Sequence, residues 1–210
     1  ILTETINETL HEFIPRHSIL RGNRYRALEQ TRLEKLLLAW LELEKQRPPF
    51  SVIDLECSQR LRFGDLEISL KLDRIDSVDG DLVVIDYKSG EVTASHWQGD
   101  RPKDPQLPLY VLASEPQAKG CAFAQVKAGK IKFTGTSESE LIADVKPLDS
   151  WDAQVSQWQS AIKGLADEFT SGVAQVEVFD TGSFQYQTHL LPLNRWHEES
   201  DINTELLNKS

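Results

Sequence analysis

Two aspartates and a lysine are the residues of this sequence whose types and spacing best suit chemistry. Asp73 lies before a strong hairpin signal, Asp79-Gly80, and Asp86 and Lys88 lie after it. If the chain turns at that signal, counting outwards along both strands places Asp73 directly across from Asp86. Their Cβ atoms would then be roughly 4.5–5.5 Å apart, and opposed carboxylates destabilise a sheet unless a cation lies between them. The spacing therefore predicts a metal site.

A second tight turn, at Gly64-Asp65, extends the same count to a third strand and places Glu56 opposite Asp73. Lys88 follows Asp86 by two residues, so the period of a strand puts both side chains on one face. The other face must then supply the buried side of the sheet. Its apolar residues are Leu70, Leu72, Val83, Ile85 and Tyr87.

An acidic row beside one lysine indicates hydrolysis assisted by a divalent metal. Mg²⁺ and Mn²⁺ prefer oxygen ligands and keep several waters, so two or three carboxylates and a backbone carbonyl suffice. The lysine would orient or deprotonate the attacking water, or neutralise charge that develops on a phosphate. A solvated, salt-bridged hairpin face explains the same acids without chemistry, and a single bulge would separate the row.

Three short motifs carry a family resemblance. They are residues 72–76 (Leu-Asp-Arg-Ile-Asp), 84–90 (Val-Ile-Asp-Tyr-Lys-Ser-Gly) and 105–110 (Pro-Gln-Leu-Pro-Leu-Tyr). In this order they resemble the nuclease domain of the RecB-like branch of the PD-(D/E)XK superfamily, over roughly residues 50 to 172. The resemblance implies an α/β fold with a restriction-endonuclease-like core, in which helices flank a mixed central sheet.

The resemblance also implies roles for individual residues. Asp73 and Asp86 would be metal ligands together with the backbone carbonyl of Tyr87, and Lys88 would be catalytic. Glu56 is a further candidate ligand because of its place in the predicted row.

The third motif lies on a helix that Asp104 can cap. Gln106 and Tyr110 are four residues apart and so share one face of that helix. By resemblance they would contact DNA or the active-site loop, although a tyrosine that is simply packed explains the same spacing. Arg101 lies in the loop between the lysine strand and this helix, where a DNA substrate could be gripped.

Two features of related domains are missing from the sequence. Such domains often carry a Gly-x-x-x-His motif on an upstream helix, and neither His11 nor His17 has a glycine four residues earlier. Several relatives hold an iron-sulfur cluster on flanking cysteines, but the corresponding stretch at 184–195 has Phe, Gln and Asn where sulfur would be. We therefore expect no iron-sulfur cluster in this chain.

Composition sets the outer limits. With 210 residues and 40% hydrophobic content the chain can form one substantial domain with a helical annex. It has no apolar stretch near the ~20 residues of a membrane span and no signal pattern at its start, so we expect a cytoplasmic protein without a membrane partner. Cys57 and Cys121 are too few for a disulfide framework. The net charge of −10 argues weakly against binding nucleic acid, unless a metal or a partner supplies affinity.

Hydrophobic periodicity gives the order of elements. We predict helices at 6–13 and 24–45, strands at 52–63, 66–76 and 82–88, a helix from 105, a hairpin over 121–134 and a helix over 151–169. The predicted domains are a helical N-terminal segment (1–48), the nuclease core (49–172) and an irregular tail (173–210). The chain starts at Ile1 and contains no methionine, so we expect it to be part of a longer protein.

The sequence thus favours a Mg²⁺- or Mn²⁺-dependent deoxyribonuclease that hydrolyses phosphodiester bonds. The resemblance implies an exonuclease of DNA recombination or repair that works beside a helicase-like partner. Two alternatives stay open. One is a catalytically impaired nuclease fold that binds DNA or a helicase-like partner, and the other is a structural cation site without a role on DNA.

Overall fold

The structure, a computed structural model, describes residues 1–173, and the predicted tail and the stretch at 184–195 lie outside them. The described elements are α1 (Leu2–Phe13), α2 (Asn23–Glu44), β1 (Ser51–Phe63), β2 (Leu66–Val78), β3 (Asp81–Lys88), α3 (Gln106–Ala113), β4 (Gly120–Lys127), β5 (Lys130–Ser137) and α4 (Trp151–Thr170). Residues Ile1–Asp167 form one compact unit, and a second begins at Glu168. The boundaries proposed at 48/49 and 172/173 stay predictions.

The five described strands form a mixed sheet in the order β1-β2-β3-β4-β5. Neighbouring strands are antiparallel, except that β3 and β4 are parallel. Parallel neighbours need a crossover, and the segment that contains α3 provides it. Since helices accompany this sheet, the predicted α/β class with a mixed central sheet is confirmed.

The hairpin between β2 and β3 has the predicted register. Val78 pairs with Asp81, and the paired residues continue to Arg74 and Ile85, one residue short of the two acids. The turn forms because Asp79 and Gly80 both adopt positive φ, at 51° and 96°, which two-residue hairpin turns of this kind require.

The hairpin between β1 and β2 is less regular than predicted. Leu55 pairs with Arg74 and Cys57 with Leu72, on either side of Glu56, which has a φ of 52° in the left-handed region. Such a residue interrupts the alternation of side chains along a strand. A separate register shift lies earlier in β1, between Val52 and Asp54.

The central strands β3 and β4 are buried on both faces, whereas the sequence predicted one buried face. Leu70 and Leu72 pack with Val84 rather than with Val83 and Ile85, so their predicted face was wrong. One core includes Leu72, Ile75, Val84, Leu107, Phe123 and Trp158, and the other includes Trp40, Val83, Ile85, Ala122 and Phe133. Strands of a parallel pair are normally covered on both sides, which explains the near-continuous apolar run in β3.

Helix ends differ slightly from the predictions. α1 begins at Leu2, earlier than predicted, and ends at Phe13 as predicted. α3 begins at Gln106 with Pro105 at the N-cap position, one residue later than expected. The Asp104 carboxylate still accepts a hydrogen bond from the Gln106 backbone N–H, at 3.3 Å.

A buried ion cluster joins α2 to β2 on the face that α2 covers. Its members are Glu44, Arg47, Arg74 and Asp76, all buried. Arg74 donates from Nε and Nη2 to the two oxygens of Asp76, at 2.7 and 2.9 Å, and from Nη1 to Glu44, at 3.0 Å. Arg47 Nη1 lies 2.9 Å from Glu44 and 2.8 Å from Asp76. Two cations and two anions therefore compensate one another away from water.

We predict that Asp76→Asn lowers the free energy of unfolding by about 3 kcal/mol, because it leaves buried arginine charge without its partner. Denaturant unfolding measures this quantity. Asp65→Asn is the matched control, since Asp65 is exposed in the β1–β2 turn and should change stability by less than about 0.5 kcal/mol. Equal losses in the two variants would contradict a special role for the cluster.

Candidate active site

The predicted acids and lysine meet where the backbone pairing of β2 and β3 ends. Lys88 Nζ lies 2.8 Å from Asp86 Oδ2. The Tyr87 backbone N–H, next to Asp86, donates to Asp73 Oδ2 at 2.9 Å. The charge of Asp73 is also one of the causes that raise the pKa of Asp86. The structure therefore brings Asp73, Asp86 and Lys88 into one site.

The Gln106 side chain connects α3 to this site. Its Nε2 donates to Asp86 Oδ1 at 2.6 Å, and its Oε1 accepts a hydrogen bond from Lys88 Nζ at 2.5 Å. One helical turn later, Tyr110 Oη accepts from the same Nε2 at 2.6 Å and donates to the backbone carbonyl of Lys71 at 2.8 Å. The two polar residues of the third motif thus fix the acid and the lysine and attach α3 to β2.

Asp86 is a carboxylate in an apolar setting, with 2% of its surface exposed. Burial is the largest cause that raises its pKa, and the ammonium of Lys88 partly offsets this effect. Lys88 Nζ forms an ion pair with Oδ2 at 2.8 Å, and no other donor from the described residues reaches that oxygen. A buried carboxylate oxygen with one cationic neighbour can still accept a further cation or donor.

These donors fit a hard divalent cation. Both acids supply oxygen atoms, and Asp73 is oriented by the Tyr87 N–H through only one of its two oxygens. Within residues 1–173 no group of three or more His, Cys, Asp or Glu residues is placed to hold a metal. Two carboxylates therefore suit Mg²⁺ or Mn²⁺, which complete their shells with water, better than a metal that needs four protein ligands.

One predicted site residue, Glu56, has its partner outside this arrangement. Glu56 holds the register position opposite Asp73, but its side chain is 62% exposed and forms an ion pair with Lys71 Nζ. Its left-handed backbone conformation explains why it does not continue the acidic row. Arg101 is exposed in the segment between β3 and α3.

Sequence reasoning missed the two backbone groups that orient the site, the Tyr87 N–H and the Lys71 carbonyl. Nothing in residue type signals them, because every residue carries such groups. It also missed the ion cluster, whose visible signal was the pair Arg74 and Asp76 inside the first motif.

A mixed sheet that presents two acids and a lysine on neighbouring strands, with helices on its faces, is the restriction-endonuclease-like class of fold. A family model described as the PD-(D/E)XK nuclease superfamily matches residues 2–183. The chain belongs to this superfamily.

Other comparisons add little. A comparison with curated protein sequences gives no significant match. Among solved structures, the crystal structure of SSO0001 is similar with a TM-score of 0.31 and 14% sequence identity, over 76% of this chain and 71% of that chain. Within residues 1–173 no helix has the length and apolar character needed to cross a membrane.

We predict that the Asp86 carboxyl titrates above the ordinary value of about 3.9, because burial disfavours its charged form. Lys88→Met should raise this pKa further, since it removes the cation that favours the carboxylate. Carboxyl ¹³C NMR titration of the metal-free protein measures both values. Lys35→Met, at an exposed position on α2, should leave the pKa unchanged. A midpoint that falls in Lys88→Met would contradict the assignment.

Proposed function

We propose that the chain is a DNA nuclease that depends on Mg²⁺ or Mn²⁺ and hydrolyses phosphodiester bonds. The observation that carries this proposal is the buried carboxylate of Asp86 next to Asp73. Among the described residues, its Oδ2 has one partner, the ammonium of Lys88, which Gln106 holds in place. Membership of the superfamily supports the same activity.

Asp73 and Asp86 would bind the cation, and the backbone carbonyl of Tyr87 is a further candidate ligand. When bound, the cation supplies Lewis-acid stabilisation of charge on the phosphate and activation of water. Asp73 is prepared for this role because the Tyr87 N–H holds one of its oxygens. Asp86 is prepared because Gln106 and Lys88 hold its carboxylate in place. Glu56 could join them only if its carboxylate left Lys71.

Lys88 would act on the reacting groups. About 30% of its side chain is exposed, so its ammonium can reach solvent or a substrate. Its described polar partners, Gln106 Oε1 and the Asp86 carboxylate, are both acceptors. Lys88 is therefore placed to donate a further hydrogen bond to the attacking water or to a phosphate oxygen, which favours orientation and charge stabilisation.

The finer assignments rest on the resemblance of the motifs. They are exonuclease action, a place in recombination or repair and a helicase-like partner. The cytoplasmic location is proposed from the sequence pattern alone. Arg101 is included as a phosphate contact because it is exposed near α3. The third motif would organise the active site, because Gln106 hydrogen-bonds to Asp86 and Lys88 and Tyr110 hydrogen-bonds to the backbone of β2. The net charge of −10 is consistent with a partner that supplies part of the DNA affinity.

We predict that Asp73→Asn, Asp86→Asn and Lys88→Met each lower the rate of DNA cleavage by about 10²-fold or more, because each removes a ligand or the donor at the phosphate. Linear and circular DNA, incubated with Mn²⁺ or Mg²⁺, provide the measurement and separate exonuclease from endonuclease action. Circular dichroism checks folding.

Asp65→Asn and Lys35→Met are the controls for these variants and should cleave at the unmodified rate. Full activity in excess EDTA, or in Asp86→Asn, would overturn the mechanism.

The competing candidate is a catalytically impaired nuclease fold that binds DNA or a partner. Two observations favour it: residues 1–173 contain no cluster of three metal-binding side chains, and Gln106 Nε2 already occupies Asp86 Oδ1. Calorimetric titration with Mn²⁺ separates the two functions. We expect binding at micromolar concentrations that is lost in Asp73→Asn, whereas a protein that binds no Mn²⁺ would support the impaired module.

A further inference from the structure

The residue after each acid faces the opposite side of the sheet. Arg74 follows Asp73 and Tyr87 follows Asp86, and Arg74 Nη1 donates to Tyr87 Oη at 2.8 Å on the α2 side. Paired residues of β2 and β3 reach only Arg74 and Ile85. Beyond that point, two described hydrogen bonds join the strands: Arg74 to Tyr87 on one face and the Tyr87 N–H to Asp73 on the other.

Arg74 is itself held firmly. The carboxylate of Asp76 binds Nε and Nη2, and Glu44 of α2 binds Nη1. The ring of Phe50 lies 5.0 Å from the guanidinium carbon. A planar guanidinium held on several sides has one geometry available to it, so the hydrogen bond it donates to Tyr87 has a defined position.

Tyr87 is also held by α2. Its ring meets the ring of Trp40 edge to face, with centroids 5.8 Å apart. Trp40 is buried and in turn contacts Phe133 of β5, at 4.9 Å between centroids. The C-terminal half of α2 thus supplies both Glu44, which holds Arg74, and Trp40, which packs on Tyr87.

We propose that Arg74 and Tyr87 are positioning residues that set the separation of Asp73 and Asp86, with α2 as their support. The inference rests on the proposed function, because the separation matters as the spacing of two ligands for one cation. Residues that contact metal ligands without binding the metal fix the orientation of those ligands, and thereby the affinity for the metal. Here Arg74 and Tyr87 would position the two acids through the backbones of β2 and β3. Because α2 supports both residues, it would be part of the active site.

The test variant is Tyr87→Phe, which removes one hydroxyl and keeps the ring and the ion cluster. In the metal-free protein we expect the backbone N–H of residue 87 to exchange with solvent about tenfold faster, because its bond to Asp73 loosens. We expect the Mn²⁺ dissociation constant and the Mn²⁺ concentration for half-maximal cleavage to rise about tenfold. The cleavage rate at saturating Mn²⁺ should fall by a smaller factor than the rise in the Mn²⁺ dissociation constant, since the substitution keeps both carboxylates and the backbone carbonyl of residue 87.

Tyr25→Phe is the matched control, because Tyr25 is exposed near the start of α2 and should change none of these quantities. A role in stability alone predicts a lower melting temperature in Tyr87→Phe with unchanged amide exchange and Mn²⁺ dependence, and that result would overturn the proposal. Glu44→Gln tests whether α2 supports the positioning residues. An unchanged Mn²⁺ dissociation constant in this variant would show that α2 has no part in positioning the acids.

Experiment can separate the proposed function from the positioning role of Arg74 and Tyr87. If the unmodified chain neither binds Mn²⁺ nor cleaves DNA, the proposed function is wrong. If it does both, and Tyr87→Phe behaves as the unmodified chain in exchange and in Mn²⁺ dependence, the positioning role is wrong and the function stands.

Discussion

The charge of Asp86, buried near the end of the central strand, is the constraint on which much of this domain depends. A carboxylate removed from water needs hydrogen bonds and opposite charge close by. Gln106 and Lys88 supply them, and α3 lies where Gln106 can reach Asp86 while Tyr110 reaches the backbone of β2. The crossover between β3 and β4 therefore does more than connect two strands, because its helix donates a hydrogen bond to the buried carboxylate.

Polar groups lie on both faces of the same strand pair. On one face, Asp86 Oδ2 has the Lys88 ammonium as its one partner among the described residues, which leaves capacity for a ligand. On the other face two arginines meet two carboxylates, which leaves no net charge. The first face can therefore bind a ligand, whereas the second face stabilises the fold. Along each strand the two functions belong to neighbouring residues.

Local signals explain what the sequence could predict. Asp79 and Gly80 fix the turn, the turn fixes the register of β2 and β3, and the period of a strand then places Asp73, Asp86 and Lys88 on one face. The conformation of Glu56 could not be predicted, because glutamate rarely adopts positive φ and only the fold selects it. The contact of Arg74 with Glu44 joins residues 30 positions apart, and no periodicity reports such a pairing.

The side-chain amide of Gln106 has an acceptor oxygen and a donor nitrogen, and both take part in hydrogen bonds in the site. Its oxygen meets an ammonium and its nitrogen meets a carboxylate. A glutamate of the same length would set two like charges side by side, and a lysine would do the same at the other end. Asparagine has the right group on a shorter arm. Glutamine is neutral, carries both a donor and an acceptor, and is long enough to contact this acid and this base at the same time.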